Sequence, residues 1–188
     1  MSLLESRVVK PDKTVNRSFR ISEKAYKALE EGAAKGKISL NTFVNQLFLN
    51  YAEFDRYASK VQPLDLPGPL LRLILDAVPE EKIMTVAKAW ANNVLTKQQV
   101  LEMSGSFSRE GVIQTMKKVA NHARFEYSDV VDHKGKRTFT IIHPLGRNYS
   151  LFTAIFMKTV LEPLGSGPIN HLVSDESVML DLPNKVLF

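Results

Sequence analysis

The chain contains no cysteine. That excludes disulfides, thiol catalysis and zinc sites built on thiolates, and it gives no sign of an oxidising compartment. It also lacks an apolar run of the roughly 20 residues that a membrane-spanning helix needs. Residues 1–20 are polar and charged, unlike a secretory leader, so the expected location is cytoplasmic. Charge of one sign is not in large excess: 25 basic and 20 acidic residues leave a net charge of +5 and a pI near 9.4. A modest basic balance is compatible with nucleic acid as a partner, and many proteins without that role share it. With 188 residues, 44% hydrophobic and 24% charged, the chain has the make-up of an ordinary globular protein. That length suits one large domain or two small ones.

Catalytic signatures are missing as well. The four histidines, His122, His133, His143 and His171, are scattered without metal-ligand spacing. There is no phosphate-binding glycine loop and no serine nucleophile elbow. The expectation is a protein that is not an enzyme, with no cofactor and no metal. An enzyme that uses its N-terminal segment to dimerise stays as a weaker reading.

What is present is concentrated in residues 14–54, TVNRSFRISEKAYKALEEGAAKGKISLNTFVNQLFLNYAEF. Residues 14–21 alternate. Val15, Arg17, Phe19 and Ile21 share one face, and Asn16, Ser18 and Arg20 share the other, as in a half-buried strand. Ser22 is a suitable N-cap for a helix from Glu23, with Tyr26, Leu29 and Ala33 at helical spacing and Gly36 as its end. Ser39 caps a second helix, whose Phe43, Val44, Leu47, Phe48, Tyr51 and Phe54 form an apolar stripe.

One strand and two helices cannot bury these faces alone. Two copies pairing their strands antiparallel about a twofold axis would cover both. The outer face of that ribbon would carry Asn16, Ser18 and Arg20 from each chain, and a two-stranded ribbon fits the major groove. Arginine pairs bidentately with guanine and asparagine with adenine, each worth roughly 1–3 kcal/mol of discrimination. The first amides of the second helix, at Leu40, Asn41 and Thr42, can take a phosphate, helped by the side chains of Ser39, Asn41 and Thr42. The bland alternative is a module that dimerises and binds no DNA.

The segment FRISEKAYKALEEGAAKGKISLNTFV resembles the Arc/MetJ/CopG ribbon-helix-helix superfamily over residues 14–54. It shares a strand ending in Arg-aliphatic-Ser, a first helix, a Gly-containing turn and Ser-Leu-Asn opening the second helix. By position, the resemblance implies base contacts for Asn16, Ser18 and Arg20, and phosphate contacts for Ser39, Leu40 and Asn41. Arg17 departs from the pattern by lying on the inward face. From the ribbon's end it can snorkel out to a phosphate, unless the strand begins later.

The rest of the chain reads as α+β. Residues 1–13 look like a flexible arm, and 58–69, with three prolines and a glycine, like a linker between the module at 14–57 and a domain at 70–188. Helices are expected near 70, over 79–95 and over 107–122, with 96–106 undecided. A hairpin is expected from 124–131 and 137–143 around the turn DHKGK, then an apolar helix over 147–163 and a last strand or strand pair within 171–182. Trp90, Phe152, Ile155, Phe156, Val160 and Leu161 read as core, with a ligand pocket at the last five as the weaker alternative. His143, Gly146, Arg147 and Asn148 open the 147–163 helix and are a candidate anion or effector site; the bland alternative is a strand-to-helix turn with His143 satisfied by hydrogen bonds. Residues 140–164 bear a distant resemblance to domains joined to ribbon-helix-helix modules in archaeal proteins, which implies no particular ligand.

These features lead to a homodimeric, sequence-specific regulator of transcription that binds double-stranded DNA. Assembly on DNA beyond the dimer and the nature of any effector stay open. The alternative is an antitoxin or partition-type adaptor that uses the same module and binds a protein through its C-terminal domain.

Overall fold

A computed structural model describes residues 14–58, 66–133, 135–165 and 167–183. The arm expected over residues 1–13 and most of the expected linker lie outside the described residues. The protein is α+β, with helices and a four-stranded antiparallel sheet. No helix among the described residues is long and apolar enough to cross a membrane. The chain divides into two compact units, Met1–Gln46 and Leu47–Phe188.

In the first unit, helix α1 (Glu23–Lys35) opens at Ser22, whose Oγ accepts from the Ala25 amide at 3.2 Å. Glu23 in the first turn and Lys35 in the last both suit the helix dipole. The helix closes with Ile38 N–H donating to Ala33 O and Lys37 N–H to Ala34 O, a Schellman closure. The left-handed residue of that closure is not the expected glycine. Gly36 is right-handed at φ −77°, and Lys37 takes φ 51°. Helix α2 (Leu40–Asn50) follows at once. Gly32 lets the two helices meet: a Cβ there would lie 2.5 Å from the Phe43 ring.

Residues 14–21 form no strand in the single chain. They carry no regular structure, and every residue from Thr14 to Ser22 is exposed. The physical reason is that a strand is defined by its ladder, and the described residues of this unit hold no second strand to satisfy its amides and carbonyls.

The second unit begins within α2, ahead of the proline-rich segment expected to divide the chain. The chain continues from α2 through a π-helical turn (Tyr51–Asp55) into α3 (Arg56–Ala58). Phe54 stacks on His122 with ring centroids 3.7 Å apart, and Asp55 Oδ1 lies 3.5 Å from His122 Nδ1, which ties this turn to the second unit. Then come α4 (Gly68–Asp76), α5 (Glu80–Ala91), α6 (Val94–Ser104) and α7 (Arg109–His122). The helix expected over 79–95 is thus cut at Ala91. Asn92 closes α5, and Asn93 starts α6 by accepting from the Leu95 amide at 2.9 Å. Two adjacent asparagines suit this, because a short polar side chain competes well for backbone groups at helix ends.

Strands β1 (Glu126–Val131), β2 (Arg137–Ile142), β3 (Asn170–Val173) and β4 (Ser177–Leu182) pair in the order β1-β2-β4-β3. The hairpin turn closes with the Lys136 amide on Asp132 Oδ1 at 2.8 Å and Gly135 at φ 80°. Register sets Phe139 beside Leu180 and Ile141 beside Val178 on the inner face. Helix α8 (Arg147–Leu161) covers that face with Ala154, Met157, Val160 and Leu161, all buried.

Two polar clusters hold this arrangement. Arg137 grips Asp129 with two bonds of 2.6 Å and reaches Glu110 Oε2 at 2.6 Å, while Lys117 Nζ lies 2.5 Å from Asp129 Oδ2. The Arg137 hydrogen bond is the main reason the Asp129 carboxyl is held down to about 2. At the other end, the buried His143 accepts from the Leu145 amide on Nδ1 at 3.1 Å. Its Nε2 therefore carries the proton and donates to Ser150 Oγ at 2.9 Å. Burial, with the Arg72 charge second, lowers the His143 pKa to about 4.

The sign of the resulting pH dependence follows. An unfolded His143 takes its proton near 6.5 and the folded one near 4. Its contribution is therefore complete above about 6.5 and drains away as pH falls through about 4. Asp129 acts lower, between its ordinary 3.8 and about 2. We expect the thermal midpoint to fall as pH drops from 6.5 to 4, and the slope in that window to flatten in His143→Gln. An identical slope in the variant would refute this role.

Candidate nucleic-acid interface

Asn16, Ser18 and Arg20 all lie in the exposed segment before α1. Arg20 makes no hydrogen bond or ion pair with any described residue. Its guanidinium is available to a partner in solution. Arg17 Nη1 donates to the carbonyl of Asn16 at 3.2 Å, an exposed local bond that water or a phosphate can replace. On the other parity of the same segment, Val15 is 67% exposed and Ile21 52%. Alternation survives even without a strand, because side-chain identity follows the sequence and not the ladder.

The start of α2 is more sharply defined. Ser39 Oγ accepts from the Thr42 amide at 3.1 Å and pairs with Thr42 Oγ1 at 2.8 Å. The Phe43 amide donates to Ser39 O. That leaves the Leu40 and Asn41 amides without an acceptor among the described residues. Thr42 N–H, expected at the phosphate, is taken by the cap. A capped helix keeps two free donors of its first turn, and the dipole favours an anion there. Ser39, Leu40, Asn41 and Thr42 thus stand together, and nothing in the single chain joins them to Asn16, Ser18 and Arg20 through a hydrogen bond.

The C-terminal candidates have other duties. Asn148 Nδ2 donates to the carbonyls of Leu75 and Val78, both at 2.8 Å, and so holds the α4–α5 corner. Arg147 reaches Glu80 Oε1 and Val173 O, both at 3.2 Å. Gly146, at φ 82°, lets α8 begin beside Arg72 and Asp76. His143 is satisfied by Leu145 and Ser150, in line with the turn reading. The His143 ring and the Asn148 amide nitrogen are spent on these bonds.

Sequence reasoning missed three positions. Gly32 and Lys37 shape the α1–α2 turn, and a glycine inside a helix followed by a second one at 36 was the available signal. Trp90 was taken as core but lies at a cavity mouth, 36% exposed, with Phe152 and Phe156 also lining that cavity. Helical spacing places residues on a face and does not say whether the face is filled.

No family model, curated protein or solved structure matches this chain.

Two substitutions in the turn should move stability in opposite directions. Lys37→Gly removes a strained left-handed Cβ and should stabilise the full chain by about 1 kcal/mol. Ser39→Ala removes the cap and should cost about 1 kcal/mol. Chemical denaturation of the full-length protein checks both, and a loss for Lys37→Gly would contradict the strain argument.

Proposed function

We propose that the protein is a homodimeric, sequence-specific regulator of transcription that reads the DNA major groove with a two-stranded ribbon. The observation that carries this is the division of residues 14–21 into two exposed faces, one apolar and one polar. Exposed Val15 and Ile21 need a partner surface, and a second copy of the same segment supplies one with matched alternation. Pairing would turn Asn16, Ser18 and Arg20 outward from both chains at once. In this reading Arg20 grips guanine, Asn16 pairs with adenine, and Ser18 adds an adaptable bond. Leu40 and Asn41 amides, together with Arg17, hold the phosphates and fix register without reading sequence. Ser39 and Thr42 support them by keeping the helix start in shape. The second unit would supply oligomerisation, sensing or a partner surface.

A specific feature also keeps the adaptor reading alive. The sheet's outer side exposes Val130, Ile142 and Leu172 on three different strands, single apolar side chains set among polar ones, which a protein partner would cover. DNA contacts would be the same under both readings, and loss of DNA binding upon partner addition would favour the adaptor.

The test is binding to random and selected duplexes across a salt series. Arg20→Ala should lose about tenfold or more for the selected duplex, keep its affinity for random DNA within a few fold, and remain dimeric. Asn41→Asp sets a negative charge beside the free amides and should weaken all duplexes alike. Unchanged affinity of Arg20→Ala for the selected duplex, or no binding by the wild type at low salt, would sink the ribbon reading.

A further inference from the structure

Inside the second unit is a cavity of about 260 Å³. It is lined by the aromatic rings of Phe54, Trp90, Tyr149, Phe152 and Phe156, by aliphatic groups from α6 and α7, and by the uncharged polar Gln99. Among the described residues no charged side chain lines it. The rings are held in place: Phe152 and Phe156 are near parallel at 6°, with centroids 6.1 Å apart, and Tyr149 packs edge-on against His143 with centroids 4.6 Å apart. Thr96, another lining residue, spends its hydroxyl on the Trp90 carbonyl at 2.6 Å.

Thr115 breaks this pattern. It lines the cavity, is only 4% exposed, and its Oγ1 has no hydrogen-bond partner. Two helical threonines elsewhere satisfy themselves on the carbonyl four residues back, Thr85 on Glu81 at 2.8 Å and Thr159 on Ile155 at 2.7 Å. Thr115 does not. A buried hydroxyl without a partner is costly, and a guest in the cavity that carries a hydrogen-bonding group would complete it.

We infer that this cavity is a binding site for a small, uncharged, planar aromatic molecule with one hydrogen-bonding group for Thr115. Size sets the upper limit. A cavity of about 150 Å³ accepts benzene, so this one suits a substituted ring or two fused rings. The absence of charge on the walls excludes carboxylates, phosphates and ammonium groups, which would be desolvated without a counter-charge. Flat aromatic walls select flat guests by stacking and edge contacts. This site is separate from His143, Gly146, Arg147 and Asn148, none of which lines it. The inference stands independently of DNA binding.

Trp90 is the one tryptophan of the chain, so 5-fluorotryptophan labelling yields a single fluorine resonance at the cavity. Indole is the probe, and benzofuran, which has the same shape and no N–H donor, is its control. Indole should move the Trp90 resonance saturably, with a matching calorimetric isotherm. Thr115→Val should weaken indole by about fivefold and leave benzofuran unchanged, as expected for one lost hydrogen bond. Val119→Phe, which places a ring in the cavity, should weaken both by more than tenfold. Indole binding that leaves the Trp90 resonance still, equal affinities in both variants, or no saturable binding to millimolar indole would each overturn the site.

Discussion

Phe139, Leu180 and Leu182 have no exposed surface because α8 lies across them, and the rest of the second unit takes its place from that contact. A four-stranded sheet with one apolar face is not stable in water until that face is covered. Here α8 supplies much of the cover, with α7 against β1, so the entry of α8 must be held firmly. His143 and Gly146 set where α8 begins, and Asn148 ties its first turn to the carbonyls at the α4–α5 corner. Helix α5 then packs on α8, and α7 is joined to β1 and β2 by the Asp129, Arg137 and Glu110 ion pairs. The polar clusters direct the arrangement, and the apolar contact stabilises it.

The cavity is a by-product of the same scheme. Helices α6, α7 and α8 are each held at one end, by the Asn93 cap, the ion-pair cluster and the His143 turn respectively. Side chains between them are large and ring-shaped, and rings at fixed backbone positions do not close space as aliphatic chains do. Thr115 and Thr153 put hydroxyls among those rings. A site of this kind needs no catalytic motif, and in the sequence its rings read first as core, with a pocket as the weaker alternative.

The first unit works under the opposite constraint. Ala33 is its one buried residue among those described. A unit of this size with exposed Val15 and Ile21 cannot hide enough apolar surface by itself, and burial per residue falls as domains shrink. Its local geometry is nonetheless well formed: both caps, the Schellman closure and the Gly32–Phe43 approach are in place within one chain. The functional reading proposed above uses this split between a finished helical pair and an exposed segment without regular structure.

Helix caps, the hairpin turn and the α+β class were all legible in the sequence. Ser22, Ser39 and the DHKGK turn act on neighbours within four residues, so local chemistry alone decides them. The alternation of residues 14–21 and the placement of Asn16, Ser18 and Arg20 on one parity are equally local. The break between α5 and α6 was also written locally, in Asn92 and Asn93, but a helical apolar pattern running through it hid the signal. What the tertiary structure decided lies at longer range. It drew Phe54 onto His122, took Trp90 out of the core, and gave Asn148 to the carbonyls of Leu75 and Val78. Each of these depends on partners far apart in sequence or on how a whole face is filled, and periodicity carries no information about what stands opposite a face.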